Sequence, residues 1–172
     1  MDYSVDILTL SEVSLFWPVF SEVINTQFPG YSKTVVKYLL ERIYNQYAFD
    51  YWLKIGEKTV LVAKQADKII GFAVLDRPYG GVSFCRWLGV LADYQRKGIG
   101  AQLIKRWLSL AKKEGCHKIE VASQPQAKDF YLKAGLTLEG KRALSYFGID
   151  QYIFGKVIGT PQDEVMTSSQ TQ

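Results

Sequence analysis

The sequence from Val90 to Ala101 is Val-Leu-Ala-Asp-Tyr-Gln-Arg-Lys-Gly-Ile-Gly-Ala, and it leads from an apolar strand through a polar loop into a helix. The first N–H groups of a helix have no partner within the helix, and the helix dipole is positive at that end. Gly98 and Gly100 carry no Cβ atom that would hold a phosphate away from these groups, and Arg96 and Lys97 add positive charge. The stretch therefore predicts a site for a pyrophosphate.

Two common phosphate-binding loops differ from this pattern. A P-loop ends in Gly-Lys-Ser or Gly-Lys-Thr, whereas Gly100 is followed by Ala101 and Gln102. A dinucleotide-binding fingerprint has a third glycine where this chain has Leu103, although Glu120 lies about twenty residues further on, as that fingerprint requires. A nucleotide binder of a different class therefore stays open as an alternative.

The composition is typical of a soluble globular protein, with 48% hydrophobic and 22% charged residues in a chain of 172. The net charge of +4 is spread along the chain, so it does not predict a nucleic-acid partner. No apolar run approaches the ~18 residues of a membrane span, and no basic-then-apolar leader opens the chain. We therefore expect a cytoplasmic protein without a membrane partner.

The metal-ligating residue types are too few for a metal centre. Cys85 and Cys116 form no Cys-x-x-Cys motif, and His117 is the only histidine. Two such cysteines are more often buried, reduced side chains than ligands or a disulfide. We expect no metal.

The order of predicted elements is a strand, two helices, three strands, a helix, a strand, a helix and one or two final strands. A hairpin is predicted over 58–77, a strand over 84–90, and helices from the glycines to about residue 114 and over 125–134. This order predicts an α/β (α+β) fold with a mixed sheet and helices on both faces. We expect one domain over 1–160 and a disordered tail over 161–172.

Two segments resemble the signatures of the GCN5-related N-acetyltransferase (GNAT) superfamily. Residues 88–100 match its acetyl-CoA loop, apolar-x-Val-x-x-x-x-Gln-x-x-Gly-x-Gly, through Leu88, Val90, Gln95, Gly98 and Gly100. Residues 127–136, Ala-Lys-Asp-Phe-Tyr-Leu-Lys-Ala-Gly-Leu, are similar to its second signature, Ala-x-x-Phe-Tyr-x-x-x-Gly-Phe. The resemblance covers roughly residues 58–158, with the two signatures in the family's order.

The resemblance implies a central, mostly antiparallel sheet that is splayed open at an acetyl-CoA site. It implies an enzyme that moves an acetyl group from acetyl-CoA to a primary amine of a small molecule, peptide or protein by direct attack in a ternary complex. Members of the family are commonly homodimers. The residues expected to bind the co-substrate are Leu88, Val90, Gln95, Arg96, Lys97, Gly98, Ile99, Gly100, Ala101 and Gln124.

Tyr131 is the residue expected to protonate the leaving thiolate, as a tyrosine does at this position in many family members. A phenol has a pKa near 10 and a thiol near 8.5, so a hydroxyl held beside the sulfur can donate as the bond breaks. The alternative is an aromatic side chain that only packs under the sheet. The strand over 83–88 carries no acid, which leaves Asp76, at the end of the preceding strand, as a candidate general base, beside a chain of waters.

The acceptor pocket is expected between the first two helices and the final strands, where Phe16, Trp17, Phe28, Tyr31 and Tyr79 either line it or belong to the core. The alternative function is a non-catalytic acyl-CoA-binding module, because the family's frequent carboxylate before the loop is absent. The sequence does not name the amine.

Overall fold

The computed structural model describes residues 2–168, and in it seven strands form one continuous sheet with the order β1-β2-β3-β4-β5-β7-β6. The fold class predicted from the sequence is confirmed. The strands are β1 Ser4–Ile7, β2 Lys58–Gln65, β3 Lys68–Asp76, β4 Val82–Val90, β5 Lys118–Ser123, β6 Thr137–Arg142 and β7 Gln151–Val157.

Helices cover both faces of this sheet. The helices are α1 Val13–Gln27, α2 Lys33–Tyr38, α3 Gln46–Lys54, α4 Ile99–Lys113, α5 Lys128–Lys133 and α6 Asp163–Ser168. Short 3-10 turns lie at Leu10–Glu12, Ala92–Tyr94, Pro125–Ala127 and Tyr146–Gly148. Within residues 2–168, no helix combines the length and the apolar character needed to cross a membrane.

Two separate apolar cores hold the helices on the sheet. One face packs against α1, α2 and α3 through a cluster that includes Phe16, Phe20, Phe49 and Phe72, each fully buried. The other face packs against α4 and α5 through a cluster that includes Trp107 and Phe154. The central strands are therefore buried on both sides, which explains the near-continuous apolar sequences of β2 and β3.

The second predicted helix is divided in the structure. The sequence predicts one helix from Ser32 to about Tyr47, but α2 continues into a π-helical turn at Leu39–Ile43 and a new helix begins at Gln46. The side-chain oxygen of Asn45 accepts a hydrogen bond from the Ala48 N–H at 2.9 Å, which caps α3 and fixes its start. By contrast, α1 continues through Pro18.

The segment after Pro161 contains a short helix. Residues 163–168 form α6, although the sequence predicts disorder there, and Met166 and Val165 lie against Gly81 and Gly115. These two glycines leave room for the apolar side chains of an otherwise polar segment. Such contacts with distant residues are not visible in the composition of the segment. Residues 169–172 of the predicted tail lie outside the described residues.

Candidate active site

The sheet opens between β4 and β5, the one parallel pair in it. The two strands pair from Val82 with Lys118 to Cys85 with Val121. Beyond Cys85, β4 stays on β3 as far as Val90, while β5 stays on β7. The diverging strands leave a cleft of about 1140 Å³ between them.

The main chain of β4 faces this cleft with unpaired groups. The Leu91 N–H donates to the Ile70 carbonyl at 3.0 Å, and Val90 is opposite Gly71. Because hydrogen-bonded and non-bonded pairs alternate in an antiparallel ladder, the N–H and C=O groups of Val90 and Leu88 point away from β3. They point to the side that β5 has left.

The Val90 carbonyl is held by two side-chain amides. Gln27 Nε2 donates to it at 2.8 Å and Gln95 Nε2 at 3.1 Å, and Gln95 Nε2 also lies 2.9 Å from Gln27 Oε1. The structure therefore places the Gln95 amide on the end of β4. With its carbonyl occupied, Val90 offers only its N–H to the cleft, beside the N–H and C=O groups of Leu88.

The predicted phosphate loop lies at the same end of the cleft. Gly98 caps α4 with a φ of +82°, a conformation that glycine adopts without strain, and Arg96 precedes it at +57°. Gly100 has a different role, because a Cβ atom there would lie 3.0 Å from the Phe130 ring. Lys97 is turned back, with Nζ 2.6 Å from the Asp93 carbonyl.

Nine of the ten predicted co-substrate residues line this one cleft. Lys97 is the exception among them. The nine are Leu88, Val90, Gln95, Arg96, Gly98, Ile99, Gly100, Ala101 and Gln124.

Tyr131 also lines the cleft, from α5. Its ring stacks on Phe154 with centroids 5.5 Å apart and meets the Phe130 ring edge-on at 5.0 Å, so its position is fixed by packing. The side chain is 5% exposed. Burial raises the pKa of its hydroxyl above the ordinary value, and the nearby Cys85 adds to this shift, so the phenol stays protonated.

Asp76, the predicted candidate base, does not line the cleft. Its Oδ1 pairs with Lys58 Nζ at 2.5 Å, and its Oδ2 accepts from Arg86 through Nε at 2.9 Å and through Nη2. Each oxygen of this carboxylate is thus paired with a cation. Asp76 orients Arg86, which does line the cleft.

Aromatic rings line the other end of the cleft. Phe28 and Tyr31 lie there as predicted, and both contact the Trp87 ring, at 5.1 Å and 6.2 Å. Phe147, from the β6–β7 loop, meets the Tyr31 ring at 5.9 Å, and Tyr44 meets the Trp87 ring at 5.4 Å. Together these rings form an apolar wall that extends from β4 to the β6–β7 loop.

The other three predicted aromatic residues lie elsewhere. Phe16 is fully buried in the core under α1, and Tyr79 is 71% exposed on the turn before β4. Trp17 lines a separate groove, and its indole N–H donates to the Tyr44 carbonyl at 2.8 Å. Their places follow from helix phase and strand register, which the spacing of aromatic residues does not indicate.

Three buried polar atoms of cleft residues have no hydrogen-bond partner. They are Trp87 Nε1, Ser123 Oγ and Gln124 Nε2, on side chains that are 7%, 5% and 6% exposed. The Gln124 and Trp87 side chains also act on the nearby Tyr31 and Tyr44 hydroxyls, and they partly offset the rise that burial causes in the pKa of each tyrosine. All three can donate a hydrogen bond.

Sequence reasoning missed several residues of the site, including Gln27, Tyr44, Arg86, Trp87, Arg142 and Phe147. Arg86 carried a signal, since a charge in the middle of an apolar strand is unusual. Arg142 and Phe147 reach the cleft only because β6 and β7 join the sheet beside β5. Among residues 2–168, no cluster of three or more His, Cys, Asp or Glu side chains is arranged to hold a metal ion.

The splayed mixed sheet, with a glycine-containing helix entrance at its open end, is the arrangement that the resemblance to the GNAT superfamily implies. The model of the Acetyltransferase (GNAT) family matches residues 18–136, and the chain belongs to that family. The match includes α1 from Pro18 onward, which the sequence signatures alone did not reach.

Solved structures of this fold are similar over nearly the whole chain. PaiA N-acetyltransferase from Thermoplasma acidophilum, in complex with coenzyme A, has a TM-score of 0.78 at 19% identity and covers 91% of this chain and 99% of its own. The putative acetyltransferase yncA from Salmonella typhimurium, with acetyl-CoA, has a TM-score of 0.74 at 15% identity and covers 94% of this chain and 98% of its own. The ribosomal-protein-S5-alanine acetyltransferase from Vibrio fischeri has a TM-score of 0.75 at 14% identity and covers 94% of this chain and 96% of its own. No curated sequence matches the chain as a relative.

Proposed function

We propose that this protein transfers an acetyl group from acetyl-CoA to a primary amine by direct attack of the amine within a ternary complex. The observation that carries the proposal is the departure of β4 from β5 after Cys85. It leaves the Val90 N–H free beside the N-terminus of α4, where a thioester and a pyrophosphate would both find donors.

The residues present fit acetyl-CoA, which supplies an activated acetyl thioester. The N–H and C=O groups of Leu88, which point away from β3, offer strand-like partners to the amides of a pantetheine arm. Arg96 and the N–H groups that follow Gly98 would bind the pyrophosphate, with Ile99, Gly100 and Ala101 in the first turn of α4. The unpaired Gln124 amide is a further donor on the β5 side.

The Val90 N–H is the group that we infer to polarise the thioester carbonyl. A fixed N–H donor stabilises the charge that develops on that oxygen, because it needs no reorganisation during the reaction. The bonds from Gln27 and Gln95 to the Val90 carbonyl hold this peptide in place. Its contribution comes from the main chain, so no side chain at position 90 can replace it.

Tyr131 is the proposed proton donor to the departing sulfur. Its raised pKa keeps the hydroxyl protonated at neutral pH. A thiol buried at the same place also has a raised pKa, as the neighbouring Cys85 thiol does through burial, so a sulfur there also favours its protonated form. The hydroxyl can therefore donate as the carbon–sulfur bond breaks, while the amine nitrogen forms its bond to the acetyl carbon.

The amine proton has no carboxylate to accept it in the cleft. No Asp or Glu between residues 2 and 168 lines the cleft, and Asp76 is held by Lys58 and Arg86. We infer that the amine binds in its neutral form, so that only the neutral fraction of the free amine reacts. The proton that its nitrogen releases after the attack passes to water.

Thermal melting with acetyl-CoA, NAD and ATP at matched concentrations tests the donor. Ligand at about 100 times its dissociation constant stabilises by roughly 2.7 kcal/mol, which raises the midpoint of a domain of this size by roughly 5–10 °C. We expect that shift with acetyl-CoA alone, a smaller one for Arg96→Gln, and the full shift for Arg106→Gln, a matched change on α4 outside the cleft. A larger shift with NAD or ATP contradicts the proposal.

Release of free CoA with a panel of amines then tests turnover. We expect release that depends on the amine and on its concentration. Selective binding of acetyl-CoA without release by any amine in the panel favours the non-catalytic acyl-CoA-binding module instead.

A further inference from the structure

The cleft carries positive charge and no negative charge. Its charged side chains are Arg86, Arg96 and Arg142, and no Asp or Glu from residues 2–168 lines it. Arg96 belongs to the loop before α4, at the end assigned to the pyrophosphate. Arg86 lies on β4 near Tyr44, and Arg142 is the last residue of β6.

The charge at this second end is not fully compensated within the protein. Asp76 is shared by Arg86 and Lys58, so one carboxylate faces two cations. Arg142 forms no ion pair with any residue from 2 to 168, whereas the neighbouring Lys141 is paired with Asp150 at 2.6 Å. A free guanidinium at a cleft is well suited to a carboxylate, which it can bind through two parallel hydrogen bonds.

The hydrogen-bonding groups at this end are donors. The Trp87 indole N–H is buried and lies beside the Tyr44 hydroxyl. An indole N–H can only donate a hydrogen bond. Burial raises the pKa of the Tyr44 hydroxyl, which the adjacent Trp87 and Arg86 oppose, so this group is protonated too.

The walls of the same end are apolar and partly closed. Phe28, Tyr31 and Trp87 form one side, and Phe147 lies over Tyr31 and Tyr38 with ring centroids 5.9 Å and 6.2 Å away. These ring contacts place the β6–β7 loop against α2. The apolar rings at this end suit a small molecule with an apolar body.

We propose that the acceptor is a small primary amine that also carries a carboxylate, namely an α-amino acid with a large apolar side chain, whose carboxylate is bound by Arg142, the unpaired arginine of the cleft. This rests on the proposed acetyl transfer. A cationic acceptor without an anionic group, such as a polyamine, would meet arginines and no carboxylate.

Matched acceptors test the proposal through the rate of CoA release. L-phenylalanine is compared with L-phenylalaninamide and 2-phenylethylamine, and L-leucine with 3-methylbutylamine, each at a pH that gives the same concentration of neutral amine. We expect kcat/KM to fall about 10- to 100-fold when the carboxylate is neutralised or removed, because a charge-assisted contact is lost. A rate for either amine equal to or above that of its amino acid overturns the proposal.

Variants of the arginine locate the contact. Arg142→Gln is expected to lower kcat/KM for L-phenylalanine by about 10- to 100-fold while changing the value for 2-phenylethylamine by less than about twofold. Arg106→Gln removes the same charge outside the cleft and is expected to change neither. Equal losses for both acceptors in Arg142→Gln would show that this residue supports the fold and does not bind a carboxylate.

A binding measurement separates this inference from the transfer reaction. With CoA saturating, N-acetyl-L-phenylalanine is expected to raise the melting midpoint, and N-acetyl-2-phenylethylamine is not. If amines without a carboxylate release CoA and the acetylated amino acid gives no shift, acetyl transfer stands and the amino-acid assignment fails. If acetyl-CoA itself does not bind, the transfer proposal fails, and the amino-acid assignment fails with it.

Discussion

The side-chain amide of Gln27 donates a hydrogen bond to the main-chain carbonyl of Val90, with Nε2 and O 2.8 Å apart. The two residues are 63 positions apart in the chain, at the last residue of α1 and the last residue of β4. This bond ties the helix that borders the acceptor end to the strand that presents the free N–H. Through this one main-chain carbonyl, the end of the cleft that we assign to acetyl-CoA is connected to the end that we assign to the amine.

Removal of this bond is expected to weaken acetyl-CoA binding. Gln27→Leu leaves the Val90 carbonyl with Gln95 as its one remaining donor, and the loss of a hydrogen bond costs about 1 kcal/mol. We expect the dissociation constant of acetyl-CoA to rise about fivefold, measured by titration calorimetry. Gln46→Leu, an exposed change at the start of α3, is the control, and an unchanged constant in Gln27→Leu would exclude a positioning role.

Tyr131→Phe removes the proposed proton donor and keeps the ring. Since Phe130 and Phe154 fix the ring by packing, the variant is expected to fold and to bind acetyl-CoA as the wild type does. We expect kcat to fall about 100-fold, in the usual range for a lost general acid. Tyr152→Phe, on β7 outside the cleft, should retain full activity, and so would Tyr131→Phe if its hydroxyl only packed.

The pH dependence of kcat/KM should reflect the amine. Because no carboxylate or histidine from residues 2–168 lines the cleft, the neutral fraction of free amine limits the rate. We expect kcat/KM to rise tenfold per pH unit from pH 6 until the pH approaches the amine pKa, near 10.4 for an alkylamine. A plateau that begins between pH 6 and 7 would instead reveal a protein base.

Replacement of Gly98 or of Gly100 by alanine is expected to lower the free energy of unfolding, for a different reason at each position. Gly98→Ala places a Cβ atom on a left-handed residue that has open space around it, at a cost of about 1 kcal/mol. Gly100→Ala forces a Cβ atom against the Phe130 ring, at a cost of about 1–3 kcal/mol.

A second substitution separates these causes. When Phe130→Leu is combined with Gly100→Ala, the loss of unfolding free energy caused by Gly100→Ala should become smaller. When Phe130→Leu is combined with Gly98→Ala, the two losses should add within about 0.5 kcal/mol, as measured by urea denaturation. Additivity in both combinations would contradict a steric role for the contact between Gly100 and Phe130.

Glu12 links the start of α1 to β2 and makes stability depend on pH. Its hydrogen bond with Lys64, together with bonds from Thr9, lowers the pKa of the carboxyl from 4.5 to about 2. Because the pKa of Glu12 is lower in the folded protein, its ionised carboxyl stabilises the fold at pH values above the pKa of the unfolded chain, about 4.5. This contribution is lost as the pH falls from about 4.5 toward 2.

Glu12→Gln is therefore expected to lower the unfolding free energy by about 1–2 kcal/mol at pH 7, since the pair is partly exposed. The difference from wild type should shrink by about half at pH 3. Glu22→Gln, exposed on the same helix, serves as the control. A difference that stays constant between pH 7 and pH 3 would exclude the ion pair as its source.

Much of the donor side of the site follows from local sequence. Gly98, Gly100 and the preceding β-strand occupy a continuous stretch, so their spacing alone indicates a helix entrance suited to phosphate. The fold class was likewise predictable, because the order of strands and helices excludes simple βαβ alternation. Lys97 shows the limit of such reasoning, since a hydrogen bond to Asp93 and not its charge decides where its ammonium group lies.

The acceptor side depends on contacts between distant parts of the chain. Asp76 lies at a strand end, where sequence suggests a base, but the register of β3 and β4 brings it to Arg86. Arg142 and Phe147 reach the cleft because β7 pairs with β5 and β6 follows outside it.

The order of strands and helices was sufficient to predict a mixed sheet, and short local motifs were sufficient to predict the helix entrance at Gly98 and the tyrosine on α5. Which side chains meet across the cleft, and where β4 leaves β5, could be seen in the folded protein and not in the sequence. That separation depends on the pairing register of strands more than thirty residues apart, and the hydrophobic pattern of each strand is compatible with several registers.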